Sequence, residues 1–243
     1  MTEKTVLVTG ARGFFGGYVV EHYLAAGWRV VGLGHGNPGS ACEGHVVWHH
    51  APVCLERLER LEMEPDLLVH CAGGGSVSVS LRDPFGDHAR TVDTTAAVLE
   101  YVRRHCPRTP VVYPSSAAVY GNAAHLPASE GSTARLRPAS PYGMHKLMAE
   151  QLCASYGAHF GVSVAVVRFF RSMARGSASN CCGMHAARSA SATTSIAARA
   201  RRAAIGCMPR MRRAWWPWWQ RRPRRRARST TVPAAPPPRS GTC

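Results

Sequence analysis

Thr5-Val6-Leu7-Val8-Thr9-Gly10-Ala11-Arg12-Gly13-Phe14-Phe15-Gly16-Gly17 is the stretch that decides the fold. A short apolar-leaning run ends at Gly10, and glycines recur at Gly13 and Gly16 as a helical pattern begins. Strand, glycines and helix in that order make a phosphate-binding turn. The first glycine permits a backbone turn barred to residues with Cβ. Bare backbone lets a pyrophosphate approach the main chain. The helix N-terminus then offers N–H donors and a partial positive charge to the anion. A plain tight turn also fits three spaced glycines, so the rest of the chain must decide.

Outward from that turn, strands and helices alternate. The pattern predicts a first strand over Thr5–Thr9 and a helix over Phe14–Ala26 with Val19, Val20, Tyr23 and Leu24 on its apolar stripe. Further strands are expected at Arg29–Leu33, His45–Trp48, Asp66–Cys71, Pro110–Tyr113 and Val162–Phe169. A loop is expected at Gly34–Gly39, and helices at Leu55–Met63, Phe85–His105 and Tyr142–Phe160. Several strands are apolar throughout. That implies an α/β fold with a doubly wound, Rossmann-like parallel sheet covered on both faces.

The chain has 243 residues, enough for one substantial domain or two small ones. A net charge of +16 would suggest nucleic acid or an acidic membrane. The charge is uneven, however: residues 1–170 hold 14 Lys+Arg against 14 Asp+Glu, whereas 171–243 hold 16 Arg and no Lys, Asp or Glu. No apolar run reaches membrane-spanning length, and Met1 opens directly into a strand without a secretory signal, so a cytoplasmic location is expected. Nine Cys show neither metal-ligand spacing nor a disulfide framework, so no metal is expected, and Cys71 reads as a buried free thiol.

A second motif is Ser140-Pro141-Tyr142-Gly143-Met144-His145-Lys146. Tyr142 and Lys146 are four apart and share a helix face. An ammonium near a phenol favours the phenolate, so a Tyr tuned this way can exchange a proton with a sugar hydroxyl or carbonyl near neutral pH. A surface Tyr–Lys pair is the alternative. Upstream, Ser115 and Ser116 stand at the carboxyl end of a strand, where open α/β sheets bind ligands. Turn chemistry is the alternative for these serines.

Together these motifs resemble the extended short-chain dehydrogenase/reductases, in particular the NAD(P)-dependent nucleotide-sugar epimerases and dehydratases of the UDP-glucose 4-epimerase type. The matching residues are Thr9-Gly10-x-x-Gly13-Phe14-x-Gly16, His70-Cys71-Ala72-Gly73, Ser115 to Gly121, Pro141-Tyr142-Gly143-x-x-Lys146 with Glu150, and Arg168-Phe169-Phe170. They cover about residues 4–170. The resemblance implies that Gly10, Gly13 and Gly16, with the N–H groups around Phe14 and Phe15, cradle the pyrophosphate of NAD, with NADP not excluded. It places Ala72 and Gly73 on the adenosine side and Phe170 in the cofactor-binding set. Lys146 would bind the nicotinamide ribose and tune Tyr142, Tyr142 would be the acid/base, and Ser116 would hold the sugar oxygen. A nucleotide-sugar substrate and a homodimer through the two long helices are also implied.

Departures narrow the activity. Dehydratases and decarboxylases of the family place acidic residues where Ala117 and Ala118 stand, which disfavours a dehydratase and favours an epimerase. A keto-sugar reductase and a noncatalytic NAD(P)-binding protein are the alternatives. The second strand of the family usually ends in an acid that binds the adenosine ribose. Here Gly34 and His35 stand there, Arg12 lies in the glycine loop, and no acid follows the third strand. Thr91 occupies a position usually held by Asn.

After Phe170 carboxylates vanish and Arg, Ala, Pro and Trp accumulate. This composition reads as a disordered basic tail, in which the Trp215–Trp219 and Arg221–Arg226 clusters could serve nucleic-acid binding. The genetic code offers a better account. Codons for Met173–His185 can be chosen so that reading one base earlier gives Tyr-Gly-Pro-Gly-Leu-Arg-Glu-Gln-Leu-Leu-Trp-Asp-Ala. Tyr-Gly-Pro-Gly is what the resembled family places after its Arg-Phe-Phe strand. In the same frame Ile205–Pro209 permits Asp-Trp-Leu-His-Ala. Residues 171–243 are therefore expected to be out of frame, with the substrate lobe missing and apolar sheet and helix surface left exposed.

Overall fold

The computed structural model describes residues 3–35, 46–121 and 136–169. Six strands form one parallel sheet: β1 (Thr5–Thr9), β2 (Arg29–Gly34), β3 (Val46–His50), β4 (Leu67–His70), β5 (Val111–Ser116) and β6 (Val164–Phe169), in the order β3-β2-β1-β4-β5-β6. The order reverses between β1 and β4, and open α/β sheets bind ligands at such a switch point, beyond the strands' carboxyl ends. The helices are α1 (Phe14–Ala25), α2 (Leu55–Glu59), α3 (Val77–Arg82), α4 (Pro84–His88), α5 (Thr94–His105) and α6 (Pro141–Phe160).

Every strand but β3 buries both faces, and this is why those strands read as largely unbroken apolar runs. Val6, Val8, Val30, Val69, Val112 and Val167 lie in one layer with Val19, Val20 and Tyr23 of α1. Leu7, Val31, Leu33, Leu68, Tyr113 and Val166 lie in the other with Leu58 of α2, Val98, Leu99 and Val102 of α5 and Ala149 and Cys153 of α6. The stripe predicted for α1 is largely inward, with Leu24 only partly buried against the core.

The differences from expectation have local causes. α2 stops at Glu59, with Glu62 at φ +45 in the turn that follows, while Leu61 and Met63 still pack on the core. β5 continues past Pro114 to Ser116. Pairing with β4 ends at Val112, but β6 follows β5 to the end, with Ser115 opposite Arg168 and Ser116 opposite Phe169. Pro114 accepts from Lys146 through its carbonyl, which faces away from β6. Its missing N–H therefore removes no ladder bond. Cys71 lies just past β4 and is only half-buried, which corrects its reading as a buried strand thiol.

The predicted long helix at Phe85–His105 is α4 and α5 joined by a π-helical turn, Ala89–Asp93. Helix α3 was not expected. Its sequence, Val77-Ser78-Val79-Ser80-Leu81, alternates with the period of a strand, and the helix leaves Val77, Val79 and Leu81 exposed while burying Ser80. Among the described residues, Val112, Ala165 and Val167 of the sheet are buried. The exposed large apolar side chains are on β3 and the helices, led by Phe85 at 86%. Phe170 and the segment 171–243 lie outside the described residues, as does most of the Gly34–Gly39 loop. No described helix is long and apolar enough to cross a membrane.

Candidate active site

The turn after β1 is built from close backbone approaches. Gly10 has φ +65, and a Cβ on it would stand 2.5 Å from the Ala72 amide nitrogen. A Cβ on Gly16 would collide with the Gly10 carbonyl. Gly10 N–H donates to the Leu33 carbonyl at 2.7 Å, and Gly13 N–H to the Gly10 carbonyl at 2.9 Å. Gly13 then caps α1 without a side-chain hydrogen bond, and no acid lies in the first turn. The helix start thus carries no anion of its own, and its orphan N–H groups suit a phosphate. A bare-backbone turn of this kind fits the pyrophosphate of a dinucleotide. Phe15 packs edge-on against Phe169 at the end of β6, 4.8 Å between ring centres, while Phe14 is half exposed and leans on Tyr18.

The second part of the site forms where α6 meets the end of β5. Ser140 accepts from Gly143 N–H at 3.2 Å and starts α6, with Pro141 in its first turn. A Cβ on Gly143 would lie 2.6 Å from the Ala118 carbonyl, so the first turn of α6 is pressed against the 3₁₀ turn Ala117–Tyr120 that follows Ser116. Tyr142 N–H donates to Ser80 Oγ at 3.0 Å, and Ser80 in turn donates to the Val77 carbonyl. Helix α3 therefore pins the residue that sequence singled out as acid/base.

Lys146 is buried, donates to the Pro114 carbonyl at 3.1 Å, and sits over the Tyr113 ring with 5.0 Å to its centre. Burial lowers its pKa from 10.5 to about 8, opposed by the negative potential of Cys71, Asp87, Glu150 and Cys153. At neutral pH it still carries its proton. The two serines divide their tasks. Ser115 is buried and donates to Glu150 at 2.5 Å. Ser116, at the strand end, accepts from Ala118 N–H at 3.2 Å, which leaves its own hydroxyl proton for another acceptor.

Ala72 and Gly73 join the two parts. The Ala72 backbone lies against Gly10, while a Cβ on Gly73 would lie 3.4 Å from Lys146 Nζ. Gly10, Gly13, Phe14, Phe15, Gly16, Ala72 and Gly73 are thus continuous with Lys146. Gly143 and the Pro114 carbonyl bring the first turns of α6 to Ser116.

Sequence reasoning missed the polar supports beneath this surface. His70 is buried between Thr9 and Thr95, with Nδ1 2.6 Å from Thr9 Oγ1 and Nε2 3.1 Å from Thr95 Oγ1. Thr95 gives its proton to the Thr91 carbonyl, so Nε2 of His70 is the donor and Nδ1 accepts from Thr9. Burial, with the positive field of Lys146, lowers the His70 pKa from 6.5 to about 3 and keeps the ring neutral. Thr91, in the π-helical turn, accepts from Gly74 N–H at 2.9 Å and holds the turn after β4. Asp87 binds His145 Nδ1 at 2.6 Å. Glu150 takes Arg168 in a bidentate pair, and Arg168 also donates to Tyr120 at 3.0 Å. The motif carried Glu150 and Arg168, but no local pattern announces that they meet.

A model of the NAD dependent epimerase/dehydratase family matches residues 6–206. The chain belongs to that family. The match runs past Phe170. UDP-glucose 4-epimerase 4 of Oryza sativa subsp. japonica is 32% identical over 70% of this chain and 49% of its own length. Among solved structures, UDP-glucose 4-epimerase from Brucella ovis in complex with NAD is 26% identical, with TM-score 0.60 over 68% of this chain and 51% of that one. UDP-glucuronic acid 4-epimerase from Bacillus cereus, in complex with UDP-glucuronic acid and NAD, is 25% identical with TM-score 0.60, covering 68% and 56%. This family member spans about half the length of the curated relatives it matches.

Proposed function

We propose that the chain derives from an NAD-dependent epimerase acting on a nucleotide-linked sugar, with Ser116, Tyr142 and Lys146 as the reacting group. The observation that carries this reading is the Ala72-Gly73 bridge, which touches both the glycine turn and Lys146. One dinucleotide can therefore lie with its pyrophosphate at Gly10–Gly16 and its nicotinamide ribose at Lys146. When bound, the nicotinamide supplies reversible hydride acceptance. Tyr142 exchanges a proton with the sugar hydroxyl that becomes a carbonyl, Lys146 holds the ribose and favours the phenolate, and Ser116 donates to the sugar oxygen. Ala117 and Ala118 offer no carboxyl for expelling a hydroxyl, in keeping with epimerase over dehydratase.

The proposal extends to a cytoplasmic protein whose α5 and α6 pair two copies, a state that light scattering reads directly. It also holds that 171–243 is an out-of-frame replacement for the sugar-nucleotide lobe. Resequencing across the Phe170 codon tests that part, and an intact frame ends it. The experiment for function compares the 243-residue chain with a frame-restored form on UDP-glucose and UDP-galactose. Turnover is expected only from the restored form, with Tyr142→Phe removing it and leaving NADH binding intact. Turnover by the 243-residue chain would contradict the impaired reading. No turnover by the restored form on any UDP-sugar would contradict the epimerase reading.

A further inference from the structure

We infer that Asp87, held in place by His145, is the counter-charge of Lys146 and positions its ammonium for the nicotinamide ribose. This rests on the dinucleotide reading above. Both residues act through Lys146, so they are positioning residues. The ammonium and the carboxylate stand behind consecutive glycines of the turn after β4. A Cβ on Gly73 would lie 3.4 Å from Lys146 Nζ and 3.6 Å from Thr91 Oγ1. A Cβ on Gly74 would collide with Asp87 Oδ1 and lie 3.3 Å from the same Thr91 oxygen. The bare Cα of Gly74 thus leaves the space that the carboxylate fills. Asp87 Oδ2 accepts from His145 Nδ1 at 2.6 Å, because an ionised carboxylate only accepts. Asp87 Oδ1 is buried with no hydrogen-bond donor among the described residues. An oxygen in that state is costly unless a positive charge is near. His145 directly precedes Lys146 on α6, so one turn of helix carries both the ammonium and the handle on its counter-charge.

The other groups around Lys146 are matched or uncharged. Glu150, one turn along α6, gives both oxygens to Arg168 and one of them also to Ser115. Burial keeps the Cys153 thiol and the Tyr113 phenol protonated and His70 neutral. Cys71 after β4 and Tyr142 one turn earlier on α6 are the remaining titratable neighbours, and neither is a carboxylate. His145 in turn meets the ring of His88, 5.4 Å between centres, and His88 lies 3.4 Å from Asp93. Asp87 is therefore the carboxylate left to balance Lys146. Its negative potential opposes the burial that lowers the Lys146 pKa to about 8.

The composition makes a direct test possible. Lys4 and Lys146 are the only lysines, and Asp66, Asp83, Asp87 and Asp93 the only aspartates. Lysine labelled with carbon-13 at Cε gives one NMR signal for each, and Lys146→Met identifies the buried one. In the wild-type chain that signal should titrate at about pH 8. Asp87→Asn keeps the shape and removes the charge, so the titration should move down by about one pH unit. Asp93→Asn should leave it in place. His145→Gln, whose amide still donates to Asp87, should keep the wild-type titration, and His145→Leu should displace it. In Asp87→Asn the affinity for NADH, read by fluorescence, should fall about threefold at pH 8 and stay within about 1.5-fold at pH 6.5, because the loss follows the fraction of ammonium. If Asp87→Asn does not fold, aspartate labelled at Cγ reports from the wild-type chain: one carboxyl signal must step where Lys146 titrates and lose that step in Lys146→Met. A Lys146 titration unmoved by Asp87→Asn, the same titration in His145→Leu as in His145→Gln, an NADH loss equal at both pH values, or no aspartate signal that follows Lys146 overturns the inference and leaves the dinucleotide reading standing. If the wild-type chain binds no NADH, the dinucleotide reading falls and takes the inference with it.

Discussion

The turn after β1 and the junction of β5 with α6 face the same crevice but are made in opposite ways. The first is formed by removing side chains. Gly10 and Gly16 let backbone touch backbone, and Gly13 leaves the start of α1 uncapped. The second is formed by burying polar side chains and satisfying them: Lys146 on the Pro114 carbonyl, Ser115 and Arg168 on Glu150, His70 between two threonines. A surface made of bare backbone tolerates no added atom, whereas one made of buried charges tolerates no lost partner.

The largest effect should come from removing a partner. Glu150→Ala leaves Arg168 buried without its carboxylate and strips Ser115 of its acceptor, so a loss of about 3–5 kcal/mol is expected in chemical denaturation. A loss under about 1 kcal/mol would mean the network is looser than its geometry. Next is the added atom. Gly16→Ala forces a methyl into the Gly10 carbonyl and should cost about 2–3 kcal/mol together with most NADH affinity. Stability lost with affinity kept would separate the turn from the cofactor.

The two buried bases give smaller, pH-dependent effects of defined sign. His70 titrates near 6.5 unfolded and about 3 folded, so between those values the unfolded chain binds the extra proton. Its contribution is complete above pH 6.5 and is lost as pH falls toward 3. Wild type should therefore lose ground to His70→Gln on acidification, by up to a few kcal/mol. Lys146 titrates near 10.5 unfolded and about 8 folded. Its burial penalty is full below pH 8 and fades as pH rises to 10.5, so wild type should gain on Lys146→Met over that window, by roughly 1–3 kcal/mol. Parallel curves would show that the ammonium is better solvated than its burial implies.

The contrast explains what could be read from the chain beforehand. Bare-backbone features announce themselves, because Gly10, Gly13 and Gly16 are unusual letters at fixed spacing. Apolar strands buried on both faces likewise gave the sheet. Networks do not announce themselves. Glu150 and Arg168 are 18 apart, Asp87 and His145 58 apart, and Thr9 and His70 61 apart. Each is ordinary until the fold closes. The strand-like alternation of Val77–Leu81 conceals a helix because Ser80 is held by its bonds to Val77 and Tyr142, a tertiary constraint that outweighs local period. Pro114 hid the last residues of β5 because a proline normally ends a central strand, and only Lys146 reveals why it does not.

The central claim is that both halves hold one dinucleotide. Fluorescence titration of NADH against the wild-type chain, Lys146→Met and Tyr142→Phe tests it most directly. The account predicts saturable binding to wild type, affinity reduced about tenfold or more by Lys146→Met, and little change with Tyr142→Phe. Binding that is indifferent to Lys146→Met, or no binding to the wild-type chain, would contradict it.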